Sequence, residues 1–277
     1  MLQKAPLARR LFDLTEPIGV VNFTADEPND AMAELGFTIY WDGYFAGRSA
    51  PLGRVPADVV HAAFYNFAPG EVARHLPKVW DTTTPEAALA ARERGCAAAL
   101  RRLLGDLVGT PEVTRAADLL ARAATSARSE GRVMYAALRA LPMPDEPVAR
   151  LWFAANMVRE HRGDGHIVAL VAEGIGGLES HVLAALDADI YPAETFGRIH
   201  HLPDAQLAGV MEGLRERGLV DGSGRFTEAG RATKTRIEAL TDSLAEAPYA
   251  ALAPAELDEL ISLLEPIAAR LAEAGSE

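Results

Sequence analysis

Hydrophobic side chains recur at intervals of three and four residues along most of the chain, which is the spacing that places them on one face of an α-helix. The first such stripe consists of Leu7, Leu11, Leu14 and Ile18. The last consists of Leu257, Leu260, Ile261, Leu264 and Ile267, with Pro266 inside it. Between them, Thr84 precedes Pro85 and an alanine-rich stretch, which predicts an N-capped helix from Pro85 to about Leu104. This pattern predicts a mainly α fold.

A proline-rich segment at 141–147 divides the pattern into two helical halves. Three prolines in this segment cannot continue a helix, and they make a stiff connector. We therefore expect a helical N-terminal domain over 1–140, a linker over 141–147 and a second domain over 148–252. The terminal helix, within 253–277, is expected either to pack on a domain or to form the contact of a homodimer.

The second half contains the pattern of a winged helix-turn-helix. A helix that starts near Asp204 ends at Arg217-Gly218, and Leu219-Val220 then reads as a short strand. The segment 221–224 supplies a tight turn, residues 225–227 read as the return strand, and a second helix runs through Leu244. This order predicts a small two-stranded β-wing between two helices. The string LRERGLVDGSGRFTEAGR resembles the wing of MarR-type regulators.

Charge weakens the DNA-binding function that such a fold suggests. The chain of 277 residues has a net charge of −12, whereas DNA-binding proteins gain affinity by neutralising phosphates with Lys and Arg. Within 204–240, six acidic residues balance six basic ones. A DNA-binding role would rest on Gln206, Arg215, Arg217 and Arg225, and we keep DNA as an alternative partner that the charge disfavours.

Composition excludes several other classes. The single Cys96 excludes an intramolecular disulfide and any multi-cysteine metal site. The N-terminal residues lack the apolar core of a signal peptide, and we find no uncharged apolar run long enough to span a membrane. We therefore expect a cytoplasmic protein without a membrane partner.

The densest group of polar residues is the motif Arg159-Glu160-His161-Arg162-Gly163-Asp164-Gly165-His166, which lies between two apolar helical stretches. Its two glycines predict a helix break. His161, Asp164 and His166 are of the right type for a metal site or for acid–base catalysis, but the spacing of five between the histidines and the lack of a further ligand disfavour metal. No nucleophile motif accompanies them, so we lean against an enzyme and expect no cofactor.

A cluster of aromatic residues precedes Arg48 and completes a candidate ligand cleft. Aromatic rings supply an apolar wall, and Arg and His supply hydrogen-bond donors, a combination typical of small-molecule sites. The predicted ligand-binding residues are Trp41, Tyr44, Arg48, Tyr65, Asn66, Arg159, His161, Arg162 and His166.

Three segments together resemble an actinobacterial helix-turn-helix family: YFAGRSAPLG…VVHAAFYNF at 44–67, REHRGDGH at 159–166, and RGLVDGSGRFTEAGR…IEALTDSLAEAPYAAL at 217–252. The resemblance implies a helical N-terminal half and a winged-helix-like C-terminal half, and it carries over no activity.

The leading hypothesis is a cytosolic protein that binds a small amphipathic or aromatic molecule on a winged-helix scaffold, as a sensor, a sequestering protein or a biosynthetic accessory. The alternatives are a MarR-like DNA-binding regulator and an enzyme that uses the 159–166 motif.

Overall fold

A computed structural model describes residues 6–190 and 203–274, and within these ranges helices joined by turns and loops form the chain, without a β-strand. The predicted mainly α class is therefore confirmed. In chain order the helices are α1 (Leu7–Gly19), α2 (Val21–Thr24), α3 (Asp26–Ala33), α4 (Tyr40–Ser49), α5 (Ala57–Phe64), α6 (Glu71–His75), α7 (Val79–Thr82), α8 (Pro85–Leu104), α9 (Pro111–Ser126), α10 (Val133–Arg139), α11 (Pro147–Ala172), α12 (Gly177–Asp187), α13 (Asp204–Glu216), α14 (Glu228–Leu244) and α15 (Pro254–Ala274).

The first of two compact units is assembled from three chain segments, Met1–Arg54, Pro77–Asp164 and Asp242–Glu277. Its core is a cluster of leucine- and alanine-rich helix faces from α1, α8, α9, the first part of α11, and α15. The Thr84 hydroxyl accepts a hydrogen bond from the Ala87 amide at 3.2 Å and so caps α8, as its position before Pro85 predicts. Small alanine side chains let these helices approach closely around a single core.

The terminal helix α15 is part of the first unit. Its buried side chains are Leu260, Ile261, Leu264, Ile267 and Leu271, which confirms most of the predicted apolar stripe. Pro266 lies within the helix without ending it. The Arg10 guanidinium on α1 pairs with Glu265 at 2.7 Å, so the beginning and the end of the described chain meet in one unit.

The second unit consists of Val55–Leu76 and Gly165–Thr241. Its core includes Leu170 on α11, Leu183 on α12, Met211 on α13 and Ile237 on α14. The turn after α5 is held by Tyr65, which takes a left-handed φ of 63° and donates its hydroxyl to the Ile175 carbonyl at 2.5 Å.

The boundary between the units differs from the predicted linker at 141–147. Those residues lie inside the first unit, and Met143 packs against its core. The prolines separate two helices rather than two domains. Helix α10 ends at Arg139, and Pro147 occupies the first position of α11, where its missing N–H costs nothing. The N-terminal domain over 1–140 and the second domain over 148–252 are therefore not the two units of the structure.

The predicted helix break at the 159–166 motif is wrong. Helix α11 continues from Pro147 to Ala172, and neither Gly163 nor Gly165 has a positive φ. A glycine inside a helix costs only about 1 kcal/mol relative to alanine, and contacts of the neighbouring side chains can offset this. Those neighbours are themselves buried, as described below.

The predicted wing is reduced to one residue pair in the described part of the chain. Val220 and Phe226 form an isolated antiparallel bridge, and the Asp221 amide donates to the Arg225 carbonyl at 2.8 Å. The predicted turn is present, because the Asp221 carboxylate accepts from the Ser223 and Arg225 amides. The single bridge between Val220 and Phe226 does not make a two-stranded β-wing.

Candidate functional site

The first unit contains a cavity of about 270 Å³ between α2, α3, α4 and α8. Its lining combines aromatic and aliphatic side chains with two guanidinium groups. The lining residues are Asn22, Phe23, Pro28, Asn29, Asp30, Met32, Ala33, Phe37, Thr38, Ile39, Tyr40, Gly43, Tyr44, Gly47, Arg48 and Arg92. We take this cavity as the candidate site.

Aromatic rings of α4 form one wall of the cavity. The centroid of Tyr44 lies 5.5 Å from Phe23 and 5.2 Å from Trp41, within the range of favourable ring contacts. Tyr44 and Tyr40 line the cavity, whereas Trp41 supports them through edge contacts without being part of the lining. Gly43 and Gly47 lie on the same helix and leave the space open.

Arg48 joins the aromatic wall to the 159–166 motif. Its Nη1 donates to the Tyr44 hydroxyl at 2.8 Å, and its Nη2 lies 3.8 Å from Glu160 Oε2. Burial lowers the pKa of Arg48, but Tyr44 and Glu160 raise it more, so the net shift is upward. Arg48 therefore stays positively charged, and it is one of the residues that line the cavity.

Arg92 is the most buried charged group of the lining, at 3% exposure. Its Nε donates to Asn22 Oδ1 at 2.8 Å, its Nη2 donates to Asn156 Oδ1 at 3.3 Å, and its guanidinium lies 5.4 Å from the Trp152 ring centroid. Burial is the main cause that lowers its pKa. Both hydrogen-bond acceptors are neutral amides, and among the described carboxylates none forms an ion pair with Arg92.

Two carboxylates outside the lining of the cavity, Glu160 and Glu16, form ion pairs with Arg48 and Arg159. Glu160, 4% exposed, lies 3.2 Å from Arg159 Nη1, and Arg159 also pairs with Glu16 at 3.0 Å. Burial raises the pKa of Glu160, but Arg48, Arg159 and Arg92 together lower it below its ordinary value. In this charged group, three guanidinium groups (Arg48, Arg92 and Arg159) therefore lie near two carboxylates (Glu16 and Glu160).

The remaining polar residues of the motif hold the first unit together. Asp164 accepts hydrogen bonds from the Met134 and Tyr135 amides at 3.4 and 2.9 Å and so caps α10; burial is the main cause that raises its pKa to about 6. His161 packs edge-on against Tyr135, and burial lowers its pKa to about 4. Arg162 pairs with Asp242 at 3.0 Å. None of these three residues lines the cavity.

His166, Tyr65 and Asn66 belong to the second unit and have their own contacts there. His166 Nδ1 lies 3.0 Å from the Thr241 hydroxyl, and His181 Nε2 donates to the Asn66 carbonyl at 2.5 Å. The predicted single cleft is thus corrected: Tyr44 and Arg48 line the cavity, whereas Arg159 stands behind it and His161, Arg162, Tyr65, Asn66 and His166 are not in its lining.

A metal site formed by His161, Asp164 and His166 is not supported by their geometry. Within residues 6–190 and 203–274, no three His, Cys, Asp or Glu residues lie close enough together to hold a metal ion. Cys96 is fully buried, as expected of a core residue, and burial raises the pKa of its thiol to about 12.

The predicted DNA-contacting residues lie in the second unit. Gln206 is exposed on the first turn of α13, and Arg225 is exposed after the turn at Asp221. Arg215 pairs with Glu212 at 3.3 Å, and Arg217 pairs with Glu179 at 2.8 Å. Two of the four predicted contacts are thus already neutralised within the unit. The segment 191–202, directly before α13, lies outside the described residues.

Sequence reasoning missed Asn22, Phe23, Arg92 and Asn156. Arg92 carried a usable signal, because it lies four residues after Ala88 and four before Cys96 on α8, both of which are fully buried. A charged residue in that register points into the protein. Asn22 and Asn156 became recognisable only through their contacts with Arg92.

Comparison with known proteins identifies the family of the chain. A model of a helix-turn-helix family matches residues 8–277, nearly the whole chain. No curated protein matches, and no solved structure matches. As for membranes, no single helix in the described ranges is long and apolar enough to cross one; only the bent pair α11 and α12 meets the length and composition criteria together.

Proposed function

We propose that this chain, which belongs to the helix-turn-helix family, binds a small molecule in the cavity of its first unit. The observation that carries the proposal is the cavity itself, with aromatic rings on one side and arginine donors on the other. Ligand pockets are typically concave and mostly apolar, with a few placed polar groups that fix orientation. This cavity has that composition.

The volume limits the size of the ligand. At about 270 Å³ the cavity lies just below the roughly 300–1,000 Å³ that small-molecule pockets usually span. One fused aromatic ring system with a single polar substituent suits this space. The rings of Tyr44 and Phe23 would contact its faces, because aromatic rings prefer offset or edge arrangements at such distances.

Gly47 offers a direct test of the site. A Cβ at this position would lie 3.7 Å from Met32 Cε and 3.8 Å from Arg92 Cδ, which is ordinary van der Waals contact. Gly47→Leu should therefore fold and fill the cavity with its side chain. The matched control is Gly209→Leu on α13, where an added Cβ meets nothing within 4 Å.

Isothermal titration calorimetry with 2-naphthoate and its neutral isostere 2-naphthamide measures the binding. The proposal expects saturable one-site binding of at least one probe to the wild type and to Gly209→Leu, and loss of binding in Gly47→Leu. If neither probe binds the wild type, or if Gly47→Leu binds as well as the wild type, the cavity is not the site.

The second candidate function is a MarR-like DNA-binding regulator with a winged helix, and the match to a helix-turn-helix family favours its DNA-binding part. Fluorescence anisotropy with a labelled DNA duplex tests it, since a phosphate-neutralising protein loses affinity steeply as salt rises. Gln206→Ala and Arg225→Ala should both weaken such binding, with Gln206 affecting sequence preference and Arg225 the salt dependence. An absence of binding at low salt would remove this candidate. The cytoplasmic location and the homodimer stay predictions.

A further inference from the structure

We infer that the ligand of the cavity is an aromatic carboxylate and that Arg92 is its counter-cation. This rests on the proposed function, and it adds the charge and the chemical class of the ligand. The geometry that leads to it is a buried guanidinium that lines a cavity and lacks a carboxylate partner among the described residues.

A buried arginine without an anionic partner is unusual, because removing a charge from water is costly unless an opposite charge compensates for it. Arginine cannot shed its proton to avoid that cost. The amide oxygens of Asn22 and Asn156 orient the Arg92 guanidinium but carry no charge, and the Trp152 face adds only a cation–π contact. An anion in the cavity would supply the missing charge.

The charges around the cavity support a monoanion. Glu160 and Glu16 carry two negative charges against the three positive charges of Arg48, Arg92 and Arg159, and the printed ion pairs of these carboxylates are with Arg48 and Arg159, so the group keeps one positive charge. Asp30 also lines the cavity, but it is exposed to solvent, where water screens its charge. One negative charge on the ligand therefore balances the group.

A carboxylate on a flat ring fits the arrangement of the walls. The guanidinium fork presents several N–H donors in one plane, which matches the two oxygens of a carboxylate. Arg92 belongs to α8, whereas Phe23 belongs to α2 and Tyr44 to α4. A planar ring can thus lie against Tyr44 and Phe23 while its carboxylate reaches the guanidinium.

The test compares the two probes on variants of Arg92. In the wild type, 2-naphthoate should bind at least about tenfold more tightly than 2-naphthamide, since a hydrogen bond to a charged group contributes that much or more. Arg92→Met, which keeps the length of the side chain without its charge, should abolish the difference. Arg92→Lys should keep part of it. Arg115→Met, which removes an exposed arginine of the same unit, should leave it unchanged.

The outcomes separate this inference from the proposed function. Equal affinities for the two probes in the wild type, with binding still lost in Gly47→Leu, would overturn the carboxylate assignment and leave the cavity as the site. A preference for 2-naphthoate that persists in Arg92→Met would overturn the role of Arg92. If neither probe binds, both proposals fail. The wild-type comparison and Arg92→Lys decide the matter even if Arg92→Met does not fold.

Discussion

Replacing Gly95 by alanine should destabilise the first unit, although alanine is the better helix former. Gly95 lies inside α8 at the point where α3 crosses it. A Cβ there would lie 2.5 Å from Pro28 Cα, 2.7 Å from the Glu27 carbonyl oxygen and 2.8 Å from Pro28 N. All three are backbone atoms, so a side-chain rotation cannot relieve the clash, and α3 must move away from α8.

Two opposing terms set the size of the effect. Alanine in a helix interior is favoured over glycine by about 1 kcal/mol. Overpacking of a close contact typically costs about 1–3 kcal/mol, and three contacts with backbone atoms place Gly95 at the upper end of that range. We therefore expect a net loss of about 2 kcal/mol. Gly47→Ala is the matched control, because it adds the same methyl group inside α4 with ordinary contacts only and should gain up to about 1 kcal/mol.

Urea unfolding followed by tryptophan fluorescence measures this difference. The three tryptophans are Trp41, Trp80 and Trp152, all of which lie in the first unit, so the signal reports that unit alone. The free energy of unfolding should fall for Gly95→Ala and rise or stay constant for Gly47→Ala, with an unchanged denaturant slope. Equal stability changes of the same sign in the two variants would refute the close approach of α3 to α8.

Further predictions concern pH and the second unit. Burial raises the pKa of Asp164 to about 6, so its stabilising contribution is present below its ordinary pKa near 4 and is lost as pH rises through 6. Burial lowers the pKa of His161 to about 4, so its stabilising contribution is present above its ordinary pKa of 6.5 and is lost as pH falls through 4. The two contributions oppose each other between these values. Acidification from pH 6.5 to 4 should therefore destabilise Asp164→Asn more than the wild type, and His161→Phe less, by on the order of 1–2 kcal/mol in each case. Urea unfolding at several pH values measures these differences. If the free energy of unfolding changes with pH in parallel for all three proteins, the reasoning is contradicted. In the second unit, Gly177→Ala places a Cβ 2.0 Å from the Tyr65 carbonyl oxygen and should destabilise the unit by about 2–3 kcal/mol, whereas hydrogen exchange equal to that of the wild type in α12 would argue against that contact.

Local signals in the sequence were sufficient for the fold class and for many helix positions. Thr84 and Pro85 predicted the start of α8 because capping depends only on neighbouring residues. The stripe from Leu260 to Ile267 predicted the buried face of α15 for the same reason. Such signals need no knowledge of the partners on which the helix packs.

Tertiary contacts decided the features that the sequence could not predict. Gly163 and Gly165 suggested a break, but Asp164 caps a helix some 30 residues earlier in the chain, and Glu160 pairs with Arg48 of α4. Arg92 became a candidate ligand contact only when α2, α3 and α4 were placed around it. Tyr65 and Asn66 were predicted as ligand contacts from their residue types, whereas their polar groups hold the turn after α5 in place.

The order of segments in the first unit has a consequence for synthesis on the ribosome. The unit draws on the start, the middle and the end of the chain, and α15 packs on α1 through contacts such as that of Arg10 with Glu265. Contacts between residues so distant in sequence form late, because the loop between them must close first. Helices α2, α3, α4 and α8, which surround the cavity, leave the ribosome long before α15. The nascent chain therefore carries the walls of the cavity before it has the core that holds them, and the site matures only after the last helix has been released.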